Sequence, residues 1–249
     1  MAVIIEHRRS KQAMPQECPT TLYVNDREIL TIQTTPINLD DWARGFLLSE
    51  GLITRLSEID RLVVDEQKAM IWVDIATEAV DDGFGDKRYI TSGCGKGVTF
   101  SSVKDAMSLR PVTHGMRVSR QQIADWMRLM QKHTPKYYES GGIHAAMALR
   151  VATGEFAVRE DIGRHNAVDK ALGAAFQLGW TGPELVLLTS GRISYEMCTK
   201  LARHGIGIGA SRTAATDQAG RLAEKLGIEL VGYVRGNAMT VYTEGLRVV

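Results

Sequence analysis

The stretch Gly154-Glu155-Phe156-Ala157-Val158-Arg159-Glu160-Asp161-Ile162-Gly163-Arg164-His165 decides the fold. A short apolar run closes on an arginine, and a helix-like segment follows. The pattern then recurs. Residues 183–188 lead into Thr189-Ser190-Gly191-Arg192, residues 205–209 into Ala210-Ser211-Arg212-Thr213, and residues 228–234 into Arg235-Gly236-Asn237. Short apolar runs bounded by turn residues read as buried strands, and strand–helix alternation reads as an α/β sheet. Helices are expected near residues 165–178, 195–204 and 216–226. Each closes at a glycine (Gly179, Gly205 and Gly227), the residue that most readily adopts the left-handed helix stop. In open α/β sheets ligands sit beyond the carboxyl ends of the strands. Arg164, Arg192, Arg212 and Arg235 are therefore expected to converge on one crevice. Ser190 and Ser211 stand beside them, and His165 lies at a helix start, where free N–H groups favour an anion. The expected ligand is anionic, a nucleotide.

Upstream, residues 119–133 read as a helix. Ser119 and Gln122 have capping-box spacing, and Ile123, Trp126, Met127 and Met130 fall on one face, a core stripe. The first part of the chain has a different rhythm. Residues 20–24 and 28–34 flank the turn pair Asn25-Asp26 and read as a hairpin. A helix follows over 40–50, then a second hairpin from residues 61–64 and 70–75. The chain of 249 residues is thus read as two domains: a smaller β-rich α+β domain over 1–115, and an α/β domain over 116–249.

A formal net charge of +1 gives no basic excess for bulk binding to nucleic acid or to a membrane. The apolar stretches fall short of the ~20 residues of a membrane span. Glu6, His7, Arg8, Arg9 and Lys11 break up the N-terminus, which lacks the apolar centre of a secretory signal. A cytoplasmic protein is expected. Cys18, Cys94 and Cys198 form no spaced pair, and no histidine pair has zinc-ligand spacing. Neither a disulfide framework nor a metal site is expected. Cys94 lies in Thr91-Ser92-Gly93-Cys94-Gly95-Lys96-Gly97. Flanking glycines leave the sulfur accessible, and Lys96, with Lys87 and Arg88 upstream, favours the nucleophilic thiolate. The glycine-rich stretch 83–97 is read as a loop that a partner or ligand would order. Cys198 follows Met197 in a helical pattern and reads as core.

The segment Glu160-Asp161-Ile162-Gly163-Arg164-His165-Asn166-Ala167-Val168-Asp169-Lys170 resembles the signature of the formate dehydrogenase accessory sulfurtransferase family, FdhD. Gly141-Gly142-Ile143-His144-Ala145-Ala146, Thr189-Ser190-Gly191-Arg192, Ser211-Arg212 and the closing stretch 232–243 match the same family in order, and the thiol loop resembles its Thr-Ser-x-Cys-Gly element. The resemblance implies a second domain with the three-layer α/β/α fold of cytidine deaminases. It also implies a sulfur carrier that takes sulfur from a cysteine desulfurase as a persulfide on Cys94. That sulfur goes to the molybdenum bis-molybdopterin guanine dinucleotide cofactor, of which GDP is a mimic, before formate dehydrogenase receives it. The stretch Tyr233, Val234, Arg235, Gly236, Asn237 and Ala238 matches the family's cofactor-binding segment, and a homodimer is implied. Many members carry a second cysteine where this chain has Gly97, so no relay between two loop thiols is available. Zinc-deaminase chemistry is not expected, because His165-Asn166-Ala167 lacks the His-x-Glu acid/base and Thr189-Ser190-Gly191-Arg192 offers no ligand cysteines. The alternative is a non-catalytic chaperone that only binds and delivers the cofactor.

Overall fold

A computed structural model describes residues 13–76, 109–113, 115–243 and 247–249. Strands β1 (Cys18–Val24) and β2 (Arg27–Thr34) form an antiparallel hairpin. Its two turn residues, Asn25 and Asp26, both have positive φ, 48° and 61°, the geometry whose twist suits a two-residue hairpin. Strands β3 (Ile59–Asp65) and β4 (Met70–Ile75) form the second hairpin, and β4 runs parallel to β1, giving the order β2-β1-β4-β3. Helix α1 (Leu39–Glu50) packs Trp42, Phe46 and Leu47 into one core with Leu22, Val24, Ile71 and Val73. Burying each such side chain stabilises by roughly 1.5–3 kcal/mol.

The second sheet has six strands. They are β5 (His144–Arg150), β6 (Phe156–Asp161), β7 (Leu185–Thr189), β8 (Ile208–Ser211), β9 (Glu229–Arg235) and β10 (Ala238–Val241), in the order β10-β9-β8-β7-β5-β6. Neighbours among β7, β8 and β9 pair in parallel, while β5 is antiparallel to both β6 and β7. Strand residues alternate between two cores. Met147, Leu149, Val186, Leu188, Ile208 and Val231 meet Ile123, Met127 and Met130 of α2 (Arg120–Lys132). Ala146, Ala148, Leu185, Leu187 and Leu230 meet helices α4 (Arg164–Gln177), α5 (Tyr195–His204) and α6 (Asp217–Leu226) on the other face. This is the expected three-layer α/β/α arrangement. Ser119 and Gln122 form the expected capping box, and Gly205 and Gly227 end α5 and α6 with φ of 69° and 67°. The sequence patterns do not anticipate the short helix α3 (Pro135–Ser140) or the edge strand β10.

The two sheets are joined through α1 and α4. A Cβ at Gly45 would stand 1.8 Å from the Asp169 carbonyl oxygen, and one at Gly173 would stand 1.9 Å from that of Asp41. Only glycine lets the two backbones approach so closely. Phe176 of α4 packs against the core on either side. Polar contacts cross the same junction. Arg159 Nε donates to Asp41 Oδ2 at 2.7 Å, and Lys200 Nζ lies 2.6 Å from Asp169 and 3.4 Å from Glu50. Val112 belongs to the core of the second unit, where its N–H donates to Leu226 O at 2.7 Å.

Candidate anion site

The strand register determines which residues share an end of the large sheet. His144 pairs with Asp161, Ala146 with Thr189, Thr189 with Ser211, and Ala210 with Val231. The start of β5 and the ends of β6 to β9 therefore lie along one edge. It carries His144, Arg164 and His165 at the start of α4, Ser190 and Arg192 after β7, Ser211 and Arg212 after β8, and residues 233–238 around the β9–β10 turn.

Arg164 is half-buried. Gly191 lies against it so closely that a Cβ there would be 2.8 Å from Arg164 Cβ and 3.3 Å from His144 Nδ1. Its Nε is buried without a hydrogen-bond partner, and among the described residues the guanidinium forms no ion pair. A buried cation without an acid is costly unless an anion completes it. Two histidines flank it. His144 Nδ1 is 3.3 Å from Ser190 Oγ, which also accepts the Ala145 N–H at 2.9 Å. His165 Nε2 lies 3.4 Å from Ser194 Oγ and 3.3 Å from Glu196 Oε2. Burial, then the charge of Arg164, pushes His144 down. Burial, then Lys200, Arg164 and His144, pushes His165 down to about 3. Both imidazoles rest neutral, so the positive charge at this point belongs to Arg164.

The other expected residues are placed differently. Ser211 is fully buried. Its Oγ donates to Gly191 O at 2.7 Å and accepts the Thr213 N–H at 2.9 Å, so it shapes the loop that holds Gly191 against Arg164. Arg192 is exposed. Arg212 turns toward α2 and α3: the Gln131 amide oxygen accepts from its Nη1 at 2.7 Å, and its guanidinium lies 6.0 Å from the Tyr137 ring centroid. Arg235 lies over the Tyr233 ring at 5.9 Å. Tyr233 itself is in the left-handed region with φ of 52°, and its ring faces solvent. Val234 points into the core, Gly236 turns the chain with φ of 59°, Asn237 Oδ1 accepts from Arg128 Nη1 at 3.1 Å, and Ala238 is exposed at the start of β10. The four arginines share an edge but not one set of contacts.

Cys94, with Lys87, Arg88, Lys96 and the whole stretch 83–97, lies outside the described residues. Cys198 is fully buried, and burial pushes its thiol up to about 12. His144 stands in the motif Gly141-Gly142-Ile143-His144-Ala145-Ala146, but the sequence alone assigns it no site role. The sequence pattern also gave no hint that Asp161, Asn166, Asp169 and Lys170 of the signature segment are buried. Among the described residues no helix is long and apolar enough to cross a membrane.

A family model described as the FdhD/NarQ family matches residues 15–249. The sulfur carrier protein FdhD of Staphylococcus aureus is 36% identical over 234 residues, covering 94% of this chain and 88% of its own. The sulfur carrier protein FdhD of Bacillus subtilis is 34% identical over 244 residues, covering 98% and 93%. A solved structure, described as a formate dehydrogenase accessory protein from Desulfotalea psychrophila, superposes with a TM-score of 0.76 at 26% identity, over 95% of this chain and 90% of its own.

Proposed function

The chain belongs to the FdhD/NarQ family, and on that premise we propose that it is a sulfur carrier serving formate dehydrogenase through a persulfide on Cys94. The Cys94 thiolate attacks the outer sulfur of a cysteine desulfurase persulfide. The donor's S–S bond breaks as the new one forms, and the donor leaves as a thiolate, so the exchange involves no net oxidation. The glycines beside Cys94 and the nearby Lys96 suit it to this attack. The acceptor is the molybdenum bis-molybdopterin guanine dinucleotide cofactor, held as substrate along the sheet edge. Residues 233–238, Arg192 and Arg164 contribute to that edge, and the protein acts as a homodimer in the cytoplasm.

The observation that carries the nucleotide half of this reading is Arg164, a half-buried guanidinium with no acid partner among the described residues, set where strand ends and a helix start meet. A phosphate would supply the missing charge. A charge-assisted bond is worth about 1.5–3 kcal/mol, so Arg164→Ala should weaken GDP binding roughly ten- to a hundredfold by calorimetry. The sulfur half is tested by intact mass after incubation with a desulfurase and cysteine. The wild type should gain the mass of one sulfur atom and Cys94→Ser should not. An adduct that persists in the variant, or maps to Cys198, would refute Cys94 as carrier. GDP binding with no persulfide on the wild type would instead identify a delivery chaperone.

A further inference from the structure

The turn that carries Arg164 and His165 is held on both sides by the first unit. Before it, Thr35 Oγ1 accepts the Ile162 N–H at 3.1 Å, and the Thr35 N–H donates to Asp161 Oδ2 at 3.0 Å. Asp161 Oδ1 then accepts the N–H of Gly163, the residue capping α4, at 2.8 Å. After it, Asn166 Nδ2 donates to Gln33 O and to Asp161 Oδ1, both at 3.0 Å, while its Oδ1 accepts Trp42 Nε1–H at 3.3 Å. Lys170 Nζ closes the ring, 2.7 Å from Asp161 Oδ2 and donating to Thr35 O at 2.8 Å. Thr35, Asp161, Asn166 and Lys170 are all buried. Arg164, between these anchors, has no partner of its own among the described residues.

We infer that Thr35, together with Trp42 and Asn166, is a positioning residue for Arg164: the first unit sets the turn at the start of α4 and thereby tunes the anion edge of the second. The inference rests on the nucleotide reading above. It assigns these signature residues to orientation rather than to ligand contact, and it makes anion affinity a property of both units. Contacting residues that share one network couple, whereas independent ones add.

Calorimetry with GDP on the full chain tests this through a double-mutant cycle. Thr35→Val keeps the shape and the backbone bonds but removes the Oγ1 acceptor. It should weaken GDP binding about tenfold in the wild-type background and less than about twofold in an Arg164→Ala background, within the range of coupled neighbours. Thr35→Ser should restore wild-type affinity. If Thr35→Val does not fold, Trp42→Phe removes the indole N–H at the other anchor and should show the same non-additivity. Equal losses in both backgrounds, or no loss at all, would overturn the positioning role. Absence of GDP binding by the wild type would overturn the nucleotide reading itself, and this inference with it.

Discussion

Replacing Lys170 with methionine breaks a fully buried ion pair that stands beside the junction. Lys170 and Asp161 are both fully buried, 2.7 Å apart, and burial pushes the Lys170 ammonium down while Asp161 draws it back. Methionine fills similar space but leaves the Asp161 carboxylate with only neutral donors: the N–H groups of Thr35 and Gly163 and the Asn166 amide. Removing one partner of a buried pair costs about 3–5 kcal/mol, because the remaining charge is uncompensated. For a chain of this length that corresponds to a fall in Tm of about 6–20 °C. The measurement is guanidinium unfolding of Lys170→Met, Asp161→Asn and the double variant. The two single losses should exceed the double loss by more than about 1.5 kcal/mol, a coupling typical of one shared network. A loss below about 1 kcal/mol for Lys170→Met would refute the reasoning, and it would mean that water reaches Asp161 or that the pair is not closed in solution.

Stability should also fall in mild acid. His165 and His204 are both held near 3 in the folded protein, whereas unfolded histidine protonates near 6.5, so below that value the unfolded state binds more protons. The pair should cost about 2 kcal/mol between pH 7 and pH 5.5, and His204→Gln should remove about half of that slope in unfolding titrations. Gly173→Ala should destabilise by more than about 3 kcal/mol, since the added Cβ would meet the Asp41 carbonyl oxygen at 1.9 Å; this outweighs the gain of about 1 kcal/mol from helix propensity. A more stable variant would show that the helices can part freely. Cys198 should resist a thiol reagent under native conditions and react only on unfolding, and its labelling rate measures this directly.

The features legible in the sequence are the local ones. Strand–helix alternation, the Ser119–Gln122 cap, the glycine stops at Gly205 and Gly227 and the Asn25-Asp26 turn depend on residues within a few positions of one another, and the structure has all of them. The strand-edge rule also placed the arginines along one side of the sheet. What was not legible depends on distant partners. Nothing near Arg212 in the sequence indicates Gln131 and Tyr137, and nothing near Gly173 indicates that it faces Asp41. The signature segment carries no local sign of its partners: Asp161, Asn166 and Lys170 spend their hydrogen bonds on Thr35, Gln33 and Trp42, more than a hundred positions upstream. Polarity alone does not distinguish a buried brace from a binding group.

The glycine contacts between α1 and α4 bear on how the molecule comes apart. Where two backbones touch with no side chain between them, there is no compressible layer to slide along. Local opening of one helix must expose the other. Amide protons of α1 should therefore exchange at rates matching those of α4 rather than forming a separate, faster class. A single proteolytic nick in the chain connecting β4 to α2 should leave both fragments associated until denaturant is added.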